Sequence, residues 1–253
     1  LFFLSSYLPL LGYSLLNYNR NQKVSNRKYD YKNDNIRIEN KVNAVKNGLM
    51  PTYHPIRVVV DNEDVPKIFP IGSLPLTKSY YCDEGYGLTT FKTDRFGLRN
   101  SEKKWDNLLV DKNIFVLGDS FIHGACIDND QTIPSVIEKA TNINTINLGM
   151  GGNGPYNYHS TLKSIVRPII KNTNTENIIL LNFYADDFYS LNYYQEDFHK
   201  KNLSLLNNSK SIIKISSNKS VAPTEEYTDK LTTYIKDHYP ISKEEIITQI
   251  IKP

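Results

Sequence analysis

The amino-acid sequence predicts an α/β fold with a parallel sheet, and two observations carry the prediction. From Asn113 onward, strand-like and helix-like stretches alternate, the pattern of a parallel sheet covered by helices on both faces. The strand-like stretches are also continuous apolar runs, as expected of strands buried on both sides. The first, Ile114 to Leu117, ends at Gly118. A helix is predicted from Ile133 to Ala140, with Pro134 in the first turn, where a missing N–H does no harm. A second strand, Thr145 to Leu148, runs into Gly149, Gly151, Gly152 and Gly154, and Pro155 opens a helix reaching Lys171. Asn177 to Phe183 (NIILLNF) is the third buried strand.

Ahead of this region a small β-rich preface is predicted over residues 51–110. Ile56 to Val60 (IRVVV) is β-branched, and Leu88 to Thr93 (LTTFKT) alternates before a turn at Asp94 to Gly97. Residues 111–253 read as one domain. Within it Lys200 to Ser220, rich in Asn, Ser and Lys, reads as a long surface insertion. Glu225 to Asp237 has helical spacing, and Ser242 with Glu245 makes a capping box ahead of Ile246, Ile247, Ile250 and Ile251. At the other end, Leu1 to Leu16 (LFFLSSYLPLLGYSLL) is uncharged and reads as the remnant of a signal peptide or membrane anchor, since Pro9 and Gly12 disfavour an ordinary amphipathic helix. Asn17 to Asn47 is rich in Asn, Lys, Arg and Tyr and reads as a solvated linker, whose limit is set at residue 50.

The charge balance excludes one class of partner. With 30 basic and 27 acidic residues and a net charge of +3, the chain has no basic stripe interleaved with aromatics, so nucleic acid is not an expected partner. Cys82 and Cys126 lack metal-ligand spacing and are too few for a disulfide framework. Two unrelated thiols are the ordinary reading, while an extracytoplasmic location would let them pair.

The candidate chemistry lies at Gly118, Asp119, Ser120 and Phe121, where a strand ends. A serine on a strand-to-helix turn is exposed at the carboxyl edge of the sheet, where α/β sites form, and nearby backbone N–H groups can stabilise an oxyanion. By itself a Gly-Asp-Ser tripeptide describes equally well a polar turn in which Asp119 or Ser120 caps a helix.

Four segments, in order, resemble the SGNH or GDSL-like hydrolases. FKTDRFGLRN (Phe91 to Asn100) is similar to the preface of membrane-associated members, and VLGDSFIHGACIDNDQTIPSVIE (Val116 to Glu138) to the family's first block. INLGMGGNGPYNYH (Ile146 to His159) resembles the second block, and LLNFYADDF (Leu180 to Phe188) the third. The resemblance implies a three-layer α/β/α sandwich with a flavodoxin-like parallel sheet, and an enzyme needing neither cofactor nor metal. It makes Ser120 the nucleophile, its own N–H one oxyanion donor and the Gly152 N–H a second. Preorganised donors of this kind are worth about 3 kcal/mol each.

The sequence departs from the family twice. Asp186 stands where the family has an asparagine that donates to the oxyanion. An ionised aspartate would repel that charge, so Asp186 reads first as a structural acceptor and otherwise as a protonated donor or a sign of weakened catalysis, with the Asn153 amide as a substitute. The family's D-x-x-H, which supplies the catalytic base, is missing, and the sequence reads as incomplete at its C-terminus as well as at its N-terminus. Of His54, His123, His159, His199 and His238, only His199 has a carboxylate three residues ahead, in Glu196, and it comes too early in the chain. His123, one turn past Ser120, reads as a packing or substrate-contacting residue.

The function expected from these readings is a serine esterase or acyl hydrolase working through an acyl-serine. Its substrate would be an ester-bearing small molecule, glycan or lipid, such as O-acyl groups of envelope glycans or lipids. The location would be extracytoplasmic, with membrane association through the N-terminal apolar segment. The alternatives are an O-acyltransferase, which shares the first half-reaction, and a non-catalytic glycan- or acyl-binding module whose cleft Tyr184, Tyr189, Tyr193 and Tyr194 would line.

Overall fold

The computed structural model describes residues 34–54, 70–84, 87–106, 108–109, 112–183 and 211–252. Along them run α1 (Asp34–Lys46), β1 (Met50–Pro51), β2 (Lys78–Tyr80), β3 (Thr90–Lys92), β4 (Asn113–Leu117), α2 (Ser120–His123), α3 (Ile133–Thr141) and β5 (Asn144–Asn147). There follow α4 (Pro155–Thr161), a π-helical turn (Leu162–Val166), α5 (Arg167–Lys171), β6 (Ile178–Leu181), β7 (Ile213–Ile215), β8 (Val221–Pro223), α6 (Glu225–His238) and α7 (Lys243–Ile251). The predicted strand at Ile56 to Val60, the apolar segment Leu1 to Leu16, Asp186, His199 and the tyrosine cluster at 184–194 lie outside the described residues.

The fold is a mixture of helix and strand with a small parallel sheet. β4 is its centre, paired in parallel with β5 on one side and β6 on the other. The continuous apolar run of β4 has a direct cause, since all five of its residues are buried. Phe115 and Leu117 pack with Ile165 and Ile169 on one face, and Ile114 and Val116 pack with Ile133 and Ile137 on the other. The amino ends of the three strands are tied by asparagine amides: Asn113 Nδ2 donates to Asn177 Oδ1 at 3.0 Å, and Asn144 Nδ2 donates to Asn113 Oδ1 at 2.9 Å. β6 is not the buried strand its apolar run predicts: Ile178 and Leu180 are half-buried on the helix-covered face, and Ile179 and Leu181 are exposed on the other.

In the N-terminal part, β2 pairs in parallel with β1 and antiparallel with β3. Tyr80 of this small sheet is buried in a separate apolar cluster, while neighbouring loop residues join the main core. Tyr53, Ile71, Phe96, Leu98 and Trp105 belong to the same apolar cluster as Phe115 and Leu117 of β4 and Leu231 and Ile235 of α6.

Two stretches differ from their sequence reading. The expected linker Asn17 to Asn47 contains α1, whose residues are too polar to advertise a buried face. Ala44 and Val45 are nonetheless buried with Tyr80 and with Ile246 of α7, so tertiary contact holds this helix rather than its own periodicity. The expected insertion Lys200 to Ser220 contains β7, which forms an antiparallel hairpin with β8, and Val221 is buried in the main core. The final helix starts at the predicted capping box, with Ser242 accepting from Glu245 N–H.

At the start of the predicted turn, Asp94 is fully buried and accepts four hydrogen bonds: from Phe96 N and Leu98 N at Oδ1, and from Asn100 Nδ2 and Trp105 Nε1 at Oδ2, all at 2.8–2.9 Å. Burial pushes its carboxyl up to about 6, while the four donors pull the other way. An Asp94→Asn substitution would place an NH2 group against Asn100 Nδ2 and Trp105 Nε1 and leave both donors unpaired. The expected loss is about 2–4 kcal/mol. Urea unfolding followed through the fluorescence of Trp105, the single tryptophan, measures it; a loss below about 1 kcal/mol would contradict this account of Asp94.

Candidate functional site

Ser120 is the first residue of α2 and follows β4 by two residues, at the carboxyl edge of the sheet. The strand order β5-β4-β6 places β4 where the chain's crossovers diverge to opposite sides, the position at which open α/β sheets form their crevices. Asp119 caps the turn by accepting from Phe121 N–H at 2.9 Å, and Gly124, at φ +82°, ends it. Arg99 fixes the chain beyond. Its Nη1 donates to Gly124 O at 2.6 Å, its Nη2 to Ile127 O at 2.8 Å and its Nε to Asn129 Oδ1 at 2.7 Å. Burial lowers the Arg99 guanidinium to about 10, which leaves it charged at neutral pH.

The loop after β5 lies along the end of β4, because Leu148 N–H donates to Val116 O at 2.8 Å and Met150 N–H to Gly118 O at 3.3 Å. Asn147 joins this loop to the serine turn. Its Nδ2 donates to Ile122 O, and its Oδ1 accepts from Gly149 N–H, each at 2.9 Å. Gly149 is pressed so close to the turn that a Cβ there would lie 2.5 Å from His123 N. Gly152, three residues on, is exposed and has φ +83°, a conformation that a larger residue takes only with strain.

Ser120 and Gly152 are therefore carried on two segments bonded to each other at the same sheet edge. Neither backbone N–H donates to another described residue, and the Ser120 hydroxyl has no hydrogen-bond partner among them. Asn182, at the end of β6, is a further residue of this edge that the sequence reading did not single out. Its N–H donates to Leu117 O at 2.9 Å, and its Cβ is 3.4 Å from where a Cβ on Gly118 would stand. Asn153 is buried, His159 is exposed, and His238 donates from Nδ1 to Tyr234 O at 2.8 Å; none of the three is hydrogen-bonded to Ser120.

Two more side chains come from the N-terminal part, and nothing in their sequence spacing pointed to them. The ring centroids of His54 and Tyr81 are 5.0 Å apart, and those of Tyr81 and His123 are 4.9 Å apart. Phe91 packs edge-on against His123 at 5.6 Å and lies beneath the Arg99 guanidinium at 4.5 Å. Cys82, next to Tyr81, forms a disulfide with Cys126 in the loop after α2, so the paired alternative for the two cysteines is the one found. No group of three or more metal-ligating side chains occurs among the described residues, and no described helix is long and apolar enough to cross a membrane. A shallow hollow lined by Leu109, Asn172, Ile215 and Lys219 lies toward the amino ends of the strands, away from Ser120. Comparison with family models, with curated proteins and with solved structures finds no match.

His123 is fully buried, and neither ring nitrogen has a hydrogen-bond partner among the described residues. Burial, reinforced by the nearby His54 and Arg99, holds its imidazole well below the ordinary histidine range. The unfolded chain then binds a proton that the native state refuses. Stability from this residue is complete above about pH 6.5 and is lost as the pH falls, by up to about 1.4 kcal/mol per pH unit. His123→Phe, which fills the same space without titrating, is expected to flatten the fall in melting temperature between about pH 6.5 and 5 relative to wild type. Parallel curves for the two proteins would show that His123 is protonated in the fold.

Proposed function

We propose that this chain is an SGNH-type serine esterase or acyl hydrolase, built on a three-layer α/β/α sandwich, with Ser120 as its nucleophile. One observation carries the reading: the Ser120 hydroxyl, its own N–H and the Gly152 N–H have no bonds to described residues, while Asp119, Asn147 and Arg99 hold the segments that bear them. In the reaction, Ser120 Oγ bonds to the carbonyl carbon of an ester, and the former carbonyl oxygen takes the negative charge. The two N–H groups stabilise that oxygen. Collapse breaks the bond to the alcohol, which leaves with the serine proton. The oxygen of a water molecule then bonds to the acyl carbon, releasing a carboxylic acid and regenerating the hydroxyl. Asn182 offers a side-chain amide at the same edge in the role that Asp186 cannot fill when ionised.

The proposed substrates are O-acyl groups on envelope glycans or lipids, met outside the cytoplasm. The Cys82–Cys126 disulfide supports that location, since such bonds persist in oxidising compartments. Residues 1–16 would supply the membrane association. A second reading, a glycan- or acyl-binding module without catalysis, is favoured by one feature: among the described residues no imidazole or carboxylate is hydrogen-bonded to Ser120 Oγ, where a serine hydrolase has its activating base.

A fluorophosphonate probe separates the two. Attack by Ser120 forms a P–O bond and expels fluoride, so the esterase should be labelled stoichiometrically and Ser120→Ala should not be labelled. Gly152→Ala, forced to φ +83°, should slow both labelling and p-nitrophenyl acetate hydrolysis by about tenfold to a hundredfold, as expected when one oxyanion donor is displaced. A folded wild-type protein that resists the probe as fully as Ser120→Ala would instead support the binding module.

A further inference from the structure

We infer that His54 and Tyr81 are positioning residues for this site, holding the Gly151–Gly152 backbone against the serine turn so that the Gly152 N–H keeps its direction; the inference rests on the esterase reading above. Gly151 shows how close the contact is. A Cβ built there would stand 2.2 Å from the Tyr81 hydroxyl oxygen and 2.7 Å from His54 Cε1, so both side chains bear directly on the loop that presents Gly152. The Tyr81 ring also lies 4.9 Å from that of His123, three residues after Ser120, and the His54 and His123 rings meet edge-on at 6.2 Å. The three rings therefore bridge the two segments that would form the oxyanion hole.

These side chains are delivered from far away in the chain and are fixed independently of the loop they touch. Tyr81 is followed by Cys82, whose disulfide to Cys126 fastens it to the segment gripped by Arg99. The backbone of His54 is held from the C-terminal side, where Tyr239 Oη donates to His54 O at 2.7 Å, and the neighbouring Thr52 N–H donates to Tyr80 O at 2.8 Å. The His123 ring is fully buried, and its backbone N–H donates to Asp119 O at 2.9 Å, which fixes it on the serine turn. The Gly151 loop is thus packed against rings whose own backbones are anchored elsewhere in the fold.

The full chain carrying His54→Ala, Tyr81→Ala or Tyr81→Phe tests this with p-nitrophenyl acetate as substrate and the fluorophosphonate as label. Misplacement of the oxyanion donor predicts a kcat lower by about tenfold to a hundredfold in the two alanine variants, KM within about twofold of wild type, and a parallel slowing of labelling. Tyr81→Phe keeps the ring and removes only the oxygen against Gly151; it should stay folded and show a smaller loss in kcat. Unchanged kcat in folded variants overturns the inference and leaves the esterase reading intact, as does a rise in KM at constant kcat, which would make these side chains substrate contacts. Absence of Ser120-dependent labelling in wild type overturns both.

Discussion

Asp94 is buried with no cation paired to it among the described residues, and the four N–H groups that surround its carboxylate fix the region on which the candidate site is built. Two of them come from the turn that Asp94 opens, one from Trp105 and one from Asn100. Asn100 carries the constraint onward. Its Nδ2 also donates to Asn147 O at 2.9 Å, and its Oδ1 accepts from Asn147 N–H at 2.8 Å. β5 is an edge of the parallel sheet, so the backbone of Asn147 has no strand on that side, and the amide of Asn100 takes the place of one. The Asn147 side chain then bonds both Ile122 O and Gly149 N–H. A single path of hydrogen bonds thus runs from a buried carboxylate to the serine turn and to the glycine loop.

Charge is distributed along the same motif with a physical logic. Asp94, near its start, is a buried anion met by N–H donors; Arg99, near its end, is a buried cation met by carbonyls. The carbonyls of Gly124 and Ile127 lie just past α2, where unsatisfied C=O groups favour a positive charge. Five donors in a rigid fork allow one Arg99 side chain to hold three acceptors along six residues, which a lysine could not do. Arg95, between them, points the other way and pairs with Glu102 and Asp106 at the surface side of the motif. The disulfide acts on the segment that Arg99 holds, and Cys126 there has φ +58°, a conformation ordinarily left to glycine.

The sequence made the parallel sheet legible because β4 is buried on both faces and so has an unbroken apolar run, and because Gly118 and the glycines after β5 mark close approaches of backbone. Ser120 and Gly152 could be named because the segments that bear them resemble the blocks of a known hydrolase family. α1 was hidden because only Ala44 and Val45 of its residues are buried, and the face they occupy exists only once α7 packs there. The hairpin of β7 and β8 was hidden by polar composition, since Val221 is the one fully buried residue that commits it to the core. His54, Tyr81 and the cysteine pairing were invisible for another reason. Their importance lies in tertiary neighbours separated by tens of residues, and no local period or spacing encodes such contacts. Arg99 and Asn100 were visible within a recognised motif, but their tasks depend on partners at 122–129 and 147 that only folding brings near.

The distribution of satisfied and unsatisfied groups bears on function. Around Asp94, Asn100, Asn147 and Arg99, buried polar atoms are matched nearly one for one, as a folded interior requires. Beside this network the Ser120 hydroxyl and N–H, the exposed Gly152 N–H and both nitrogens of His123 are not bonded to any described residue, while other buried side-chain atoms without a partner among them, such as Ser79 Oγ and Ser160 Oγ, lie elsewhere in the fold. Leaving a buried imidazole unpaired costs about 1–3 kcal/mol, and an exposed glycine loop at positive φ contributes little to stability in return. A chain that completes its hydrogen bonds so carefully in the supporting network, yet leaves donors open at the adjoining edge, has an arrangement suited to a ligand that completes them. An oxyanion facing Ser120 and Gly152 would be such a ligand, because it needs two N–H donors whose directions are set before it arrives.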